Sequence, residues 1–187
     1  DAANIYAGAG TDKLTLPDSL QAYLQASTSM TVVARANEKF AEQARSLDMA
    51  LRRDQLGADF KWNVSKPVTI KVAIDYEKRK GARPFGGTFG FGNAVEIPEP
   101  IDYNTMRVKE SLEYHTESFH ANLEHSLSLF TNAYSGVTYD NPFREVDNTN
   151  SSAYSQSYAG GSSRGRTSLA PDNMAKHVTA GVAKELS

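Results

Sequence analysis

Between Phe60 and Tyr76 the apolar residues fall on even numbers: Phe60, Trp62 and Val64, then Val68, Ile70, Val72, Ile74 and Tyr76. The odd positions carry Lys61, Asn63, Thr69, Lys71, Asp75 and Glu77. Successive side chains of a strand point to opposite faces, so this alternation predicts strand with one apolar face. Ser65, Lys66 and Pro67 interrupt it, and proline cannot donate to a ladder. Two strands, 59–64 and 68–77, joined by a short turn are the simplest reading. A single bent strand with Pro67 at an edge is the alternative. Only Val95–Ile97 and the connector near Tyr139 offer further strand, and a lone hairpin is marginal in water. The stripe therefore calls for helices over its apolar face. At least one of its edges calls for another chain or an extended arm.

The remaining apolar positions predict helices. Pro17 and Asp18 open a short one through Leu20, Tyr23 and Leu24. A longer one is predicted from about Met30 to Leu56, with Val33, Phe40, Ala44, Leu47 and Leu51 three and four apart and Gly57 as its cap. That stripe also fits about three heptads, so a core-facing helix and a coiled coil both remain open. A second long helix is predicted from about Asn104 to Tyr134, with Val108, Leu112, Phe119, Leu123, Leu127 and Phe130 on one face. After Pro171 a last short helix is expected, with Met174, Val178, Val182 and Leu186 every four residues. Residues 81–100 interleave five glycines with Phe85, Phe89 and Phe91 and read as a long loop; residues 148–170 are low in complexity and read as flexible. The expected fold is α+β: two long helices packed on a small, mainly antiparallel sheet, with extended N- and C-terminal arms. The expected layout is an arm at 1–16, one α+β domain at 17–147, and a polar tail at 148–187 ending in an amphipathic helix.

Composition narrows the chemistry. The chain has 187 residues and no cysteine, which excludes disulfides, thiolate metal sites and cysteine nucleophiles. No apolar run approaches the length of a membrane-spanning helix, and no signal peptide is visible; the chain starts at Asp1 without methionine, which leaves open the removal of something upstream. Residues 35–83 hold 12 Lys/Arg against 7 Asp/Glu, whereas residues 84–150 hold 3 against 10. Such polarity can drive head-to-tail association, or be neutralised within one domain.

Local motifs are few. Glu117 and His120 match the Glu-x-x-His pattern of carboxylate-bridged metal sites, with Glu113 and Glu124 on the same helical stripe. On a helix that stripe lies about 100° from the apolar one and faces solvent, and a second such motif is missing. His115 and His125, each five residues from His120, would not share a helical face with it, so no histidine cluster is expected. Gly161, Ser163 and Gly165 match a nucleophile elbow, but in a polar segment with no buried strand before the serine. Phe89, Gly90 and Phe91 carry part of an RNA-recognition pattern without its basic and aliphatic flanks. Arg164 and Arg166 could touch phosphates only weakly. The sequons at Asn63 and Asn150 are short enough to arise by chance.

No catalytic, cofactor or metal site is expected from these residues. The expected role is a non-enzymatic structural subunit of a repetitive assembly, a virion or phage component. It would contact copies of itself or other subunits, with no membrane, no nucleic acid and no small-molecule substrate. A monomeric surface or extracellular binding module is the alternative, and an enzyme whose site leaves no local motif is the third reading.

Overall fold

A computed structural model describes residues 2–25, 38–39, 41–89, 94–147 and 162–185. Strand dominates. In chain order the elements are β1 (Ala2–Asn4), β2 (Lys13–Leu14), α1 (Asp18–Gln25), β3 (Arg45–Leu47), β4 (Leu51–Ser65), β5 (Val68–Thr88), β6 (Ala94–His115), β7 (Phe119–Asn132), β8 (Gly136–Asp140), β9 (Arg164–Ser168) and β10 (Asn173–Lys184). They form three sheets: β1-β3, β2-β8-β9, and a five-stranded sheet in the order β10-β7-β6-β5-β4. The chain divides into two compact units. One comprises 1–51, 80–101 and 134–170; the other comprises 52–79, 102–133 and 171–187.

The expected pair of long helices on a small sheet is therefore overturned. Among the described residues, helix is confined to α1 and to residues 38–39 and 41–43. The segment read as a helix from 104 to 134 is the hairpin β6–β7, antiparallel from Tyr103 opposite Asn132 to His115 opposite His120. The helix expected after Pro171 is β10, antiparallel to β7 from Asn173 opposite Phe130 to Lys184 opposite Phe119. The helix expected from Met30 to Leu56 ends in β3 and β4 instead, and its residues 30–37 and Phe40 lie outside the described residues. The same holds for residues 148–161 of the low-complexity segment, while its end forms β9. The two expected strands are present as β4 and β5, and the short helix after Pro17 is α1.

The first unit holds the buried core: Tyr6, Leu14, Leu16, Leu20, Leu24, Phe89, Ile97, Val137, Tyr139 and Leu169. In α1, Leu20, Gln21 and Leu24 are buried, the three-and-four spacing that turns one helical face inward. Gln21 is buried without penalty because its amide donates to the carbonyls of Asn141 at 2.8 Å and Arg144 at 2.9 Å. β2 runs parallel to β8, and β9 pairs antiparallel on the other side of β8. The Tyr6 hydroxyl donates to the Asp140 carbonyl at 2.8 Å. Burial, with Asp140 and Tyr139 nearby, pushes that hydroxyl well above the ordinary tyrosine range, so it stays a donor.

Tyr139 is the hub of this core. Its hydroxyl accepts from the Thr88 amide at 2.9 Å and donates to the Thr88 carbonyl at 3.1 Å. Its ring meets Phe89 edge-on at 5.2 Å. Gly165 and Gly87 let backbone lie against the ring: a Cβ on Gly165 would collide with Tyr139, and one on Gly87 would come within 2.7 Å of it. Gly165→Ala is therefore expected to cost about 2 kcal/mol through overpacking, read as a lower denaturation midpoint. Gly86→Ala, where an added Cβ meets nothing within 4 Å, is the comparison and should change little.

Candidate functional site

Among the described residues the second unit has no comparable core. It is a sheet with two unlike faces, and those faces are the candidate site. β4 and β5 are joined by the tight turn Lys66–Pro67. β6 and β7 are joined by Thr116, Glu117 and Ser118, where Thr116 closes the turn on Phe119 through backbone and hydroxyl bonds of 2.8–3.2 Å. The amide of His115 donates to the carbonyl of Pro67 at 2.8 Å, which holds the two turns side by side.

One face is polar and laced with ion pairs. Glu77 accepts from Arg53, from Gln55 at 2.7 Å and from Arg79 at 2.5 Å. Lys71 donates to Glu113 at 2.6 Å, Lys109 lies 3.1 Å from Glu124, and the Thr69 hydroxyl donates to Asn63 at 3.1 Å. All of these residues are odd-numbered on β4, β5 and β6 and even-numbered on β7, as the strand period and the β6–β7 register require. Ser111, Asn122, Ser126 and Ser128 fill positions between them.

The opposite face is apolar and bare. β4 contributes Leu56, Phe60, Trp62 and Val64, and β5 contributes Val68, Ile70, Val72, Ile74 and Tyr76. Across β6 and β7, Met106 lies opposite Leu129, Val108 opposite Leu127, and Leu112 opposite Leu123. β10 continues the surface with Met174, Val178 and Val182. Leu56 is 74% exposed, Phe60 61%, Val178 63% and Val182 72%. A soluble monomer rarely leaves such a continuous apolar sheet in contact with water, because each strand adds area that burial would stabilise at ~25 cal/mol per Å². Among the described residues no helix covers it, contrary to the sequence expectation.

Among the described residues Glu110 and His125, together with Lys176 of β10 opposite Leu127, interrupt this face. Glu110 lies opposite His125, with Nδ1 of the ring 3.2 Å from Oε2 of the carboxylate. They sit midway along the apolar run of β6, from Met106 to Tyr114.

The sequence motifs land differently. Glu117 is exposed in the β6–β7 turn, and Glu113 and Glu124 are engaged by lysines. His115 and His120, which helical geometry would keep apart, are cross-strand partners with Nδ1 atoms 3.1 Å apart, whereas His125 is on the other face. Among the described residues no group of three or more metal-ligating side chains forms. Ser163 donates from its amide and hydroxyl to Asp147, which holds that carboxyl below the usual carboxylate range, and the strand β9 follows the serine rather than preceding it. Phe89 is buried against Tyr139; Gly90, Phe91, Asn150 and Gly161 lie outside the described residues. Arg164 pairs with Asp140 at 3.1 Å, and Asn63 is held by Thr69. Sequence reasoning missed the exposed face of β6, β7 and β10 altogether. The signal for it was Thr116-Glu117-Ser118, a turn between two segments that each alternate.

Comparison with known proteins supplies a context for a bare apolar sheet. A family model described as "Putative outer membrane beta-barrel porin, MtrB/PioB" matches residues 1–183. The chain is 25% identical over 174 residues to a relative named outer membrane protein MtrB, from Shewanella baltica (strain OS185). That alignment covers 93% of this chain and 22% of the relative, so the chain spans about a fifth of the protein it matches. These matches overturn the virion or phage assignment and the expectation of no membrane: they point to the bacterial outer membrane. That no helix among the described residues is long and apolar enough to cross a membrane does not bear on strands.

Proposed function

Because the chain belongs to the MtrB/PioB family of outer membrane β-barrel porins, we propose that its five-stranded sheet is an arc of a membrane-spanning barrel wall. The apolar face meets lipid and the ion-paired face lines the interior. The observation that carries this reading is the bare apolar face opposite a laced polar one. In water that division leaves large apolar area exposed; in a bilayer it is the division a barrel needs.

The dimensions agree. The apolar run covers nine residues on β4 (56–64), β5 (68–76) and β6 (106–114). At ~3.4 Å per residue that is about 30 Å of strand, and a tilt of about 40° reduces it to roughly 23 Å, close to the ~25 Å apolar band of outer-membrane barrels. Trp62, Tyr114 and Phe119 lie near the turn end of the run and Tyr76 near the other, where aromatic side chains favour the membrane–water boundary. Short turns at 66–67 and 116–118 alternate along the chain with the longer stretches 80–101 and 134–170, which belong to the first unit. Five strands do not close a barrel, and open edges are not tolerated in hydrocarbon, so β4 and β10 are continued by further strands. The role is passive and non-enzymatic: the wall holds a polar interior open across the membrane.

Trp62 is the sole tryptophan of the chain and lies on the apolar face. In vesicles containing brominated phospholipid its fluorescence should be strongly quenched, whereas a water-soluble quencher should have little effect. Quenching by the soluble agent alone would overturn the membrane-wall reading.

A further inference from the structure

His115 and His120 have no part in the wall reading. They face each other across β6 and β7 as the last pair before the turn at 116–118, on the polar face and just past the apolar run. Their Nδ1 atoms are 3.1 Å apart and their rings meet edge-on at 5.3 Å. Both rings reach solvent. The backbone around them is tied down. Thr116 and Phe119 close the turn, the His115 amide donates to the Pro67 carbonyl at 2.8 Å, and the Glu185 amide donates to the Ser118 carbonyl at 3.0 Å. Opposite His120 on β10 stands Ala183, whose side chain is only a methyl.

We propose that these two imidazoles bind a borderline divalent transition-metal ion, such as Cu²⁺, Ni²⁺ or Zn²⁺, through both Nδ1 atoms. The inference does not depend on what medium the sheet meets. An imidazole–metal bond is about 2.0–2.1 Å long, so nitrogens 3.1 Å apart subtend roughly 100° at a shared ion, between the square and tetrahedral angles that these ions accept. Mg²⁺ and Ca²⁺ take oxygen ligands and gain little from two nitrogens. Without metal the rings share one hydrogen bond, from the Nδ1–H of one to the bare Nδ1 of the other. Metal binding moves that proton to Nε2 of the same ring and frees both Nδ1 lone pairs, so neither ring changes charge. Among the described residues no third protein ligand joins them. Glu113, two residues before His115 on the same face, is held by Lys71 at 2.6 Å, so water completes the coordination shell. Such a site is open and exchangeable, and it clips the β6–β7 hairpin at its turn.

The chain has 4 histidines and no cysteine, which makes the test direct. The probe is Cu²⁺ alone, titrated into the full chain in detergent micelles. The electron paramagnetic resonance spectrum should show a bound ion coupled to two imidazole nitrogens. His115→Gln or His120→Gln should each remove that pattern and weaken binding by at least about tenfold, since even a group that only supports a ligand is worth that much. His125→Gln combined with His177→Gln should change neither. His115→Asp keeps a ligand at the position, and should restore most of the affinity with coupling to one nitrogen. Trp62 emission, read before metal is added, should match the parent chain in every variant, because the rings reach solvent and fill no core. Two-nitrogen binding that survives His115→Gln, or that is lost with the His125 and His177 changes, would overturn the site. So would a parent chain without the two-nitrogen spectrum. None of these outcomes bears on the membrane-wall reading, which quenching by brominated lipid tests by itself.

Discussion

Val72→Arg is expected to lower stability in a bilayer by about 2–4 kcal/mol, whereas Ala73→Arg, one residue along the same strand, should cost no more than about 1. Val72 lies at the centre of the 68–76 run on the apolar face, and Ala73 lies on the ion-paired face. A guanidinium at the bilayer midplane has no solvent, while one in a polar interior keeps its hydration. Val68→Arg, at the end of the run, should cost less than Val72→Arg because its stem can carry the charge to the headgroups. Denaturant unfolding of the reconstituted protein measures all three. Equal costs at 72 and 73 would mean that the two faces meet the same medium, and the barrel-wall reading would fall.

Arg83→Met is expected to cost about 3 kcal/mol in the first unit. Glu99 is among its most deeply buried side chains, 2% exposed, and accepts from Arg83 Nε at 3.0 Å and Nη2 at 2.9 Å. Pro98 and Pro100, both fully buried, flank it and have no N–H to offer. Removing the guanidinium strands a carboxylate away from water, and breaking such a pair from one side is far more harmful than deleting both members. Arg83→Met combined with Glu99→Leu should recover most of the loss. A double variant as unstable as the single one would mean that Glu99 does not depend on Arg83.

How far the fold could be read from the chain is clearest in the contrast between two hairpins. β4–β5 alternates with almost no interruption from Leu56 to Tyr76, and its strands were legible. β6–β7 was taken for a helix because Val108 and Leu112, like Leu123 and Leu127, are four apart. Four is one helical turn, and it is also two strand repeats. The positions that would have decided the period are Glu110 and His125, and both are polar on the apolar face. β10 misled in the same way: Met174, Val178 and Val182 are four apart, with Lys176 and Ala180 between them. Polar side chains set on the apolar face thus hid the strand period. The histidines repeat the lesson. His115 and His120 are five apart, the wrong spacing for one helical face, yet they are partners across a three-residue turn.

The chain alone determined the strands of the first hairpin, the short helix after Pro17 and the absence of cysteine chemistry; the shortage of strand partners it suggested is met within the chain by β6. These depend on neighbours in sequence, where side-chain period and turn residues act directly. Only the tertiary structure decided that β6 is the strand beside β5, that β7 and β10 extend the same sheet, and that its apolar face is left bare. Strand partners are chosen by contacts distant in sequence. An apolar face written for a covering helix is also indistinguishable, residue by residue, from one written for lipid.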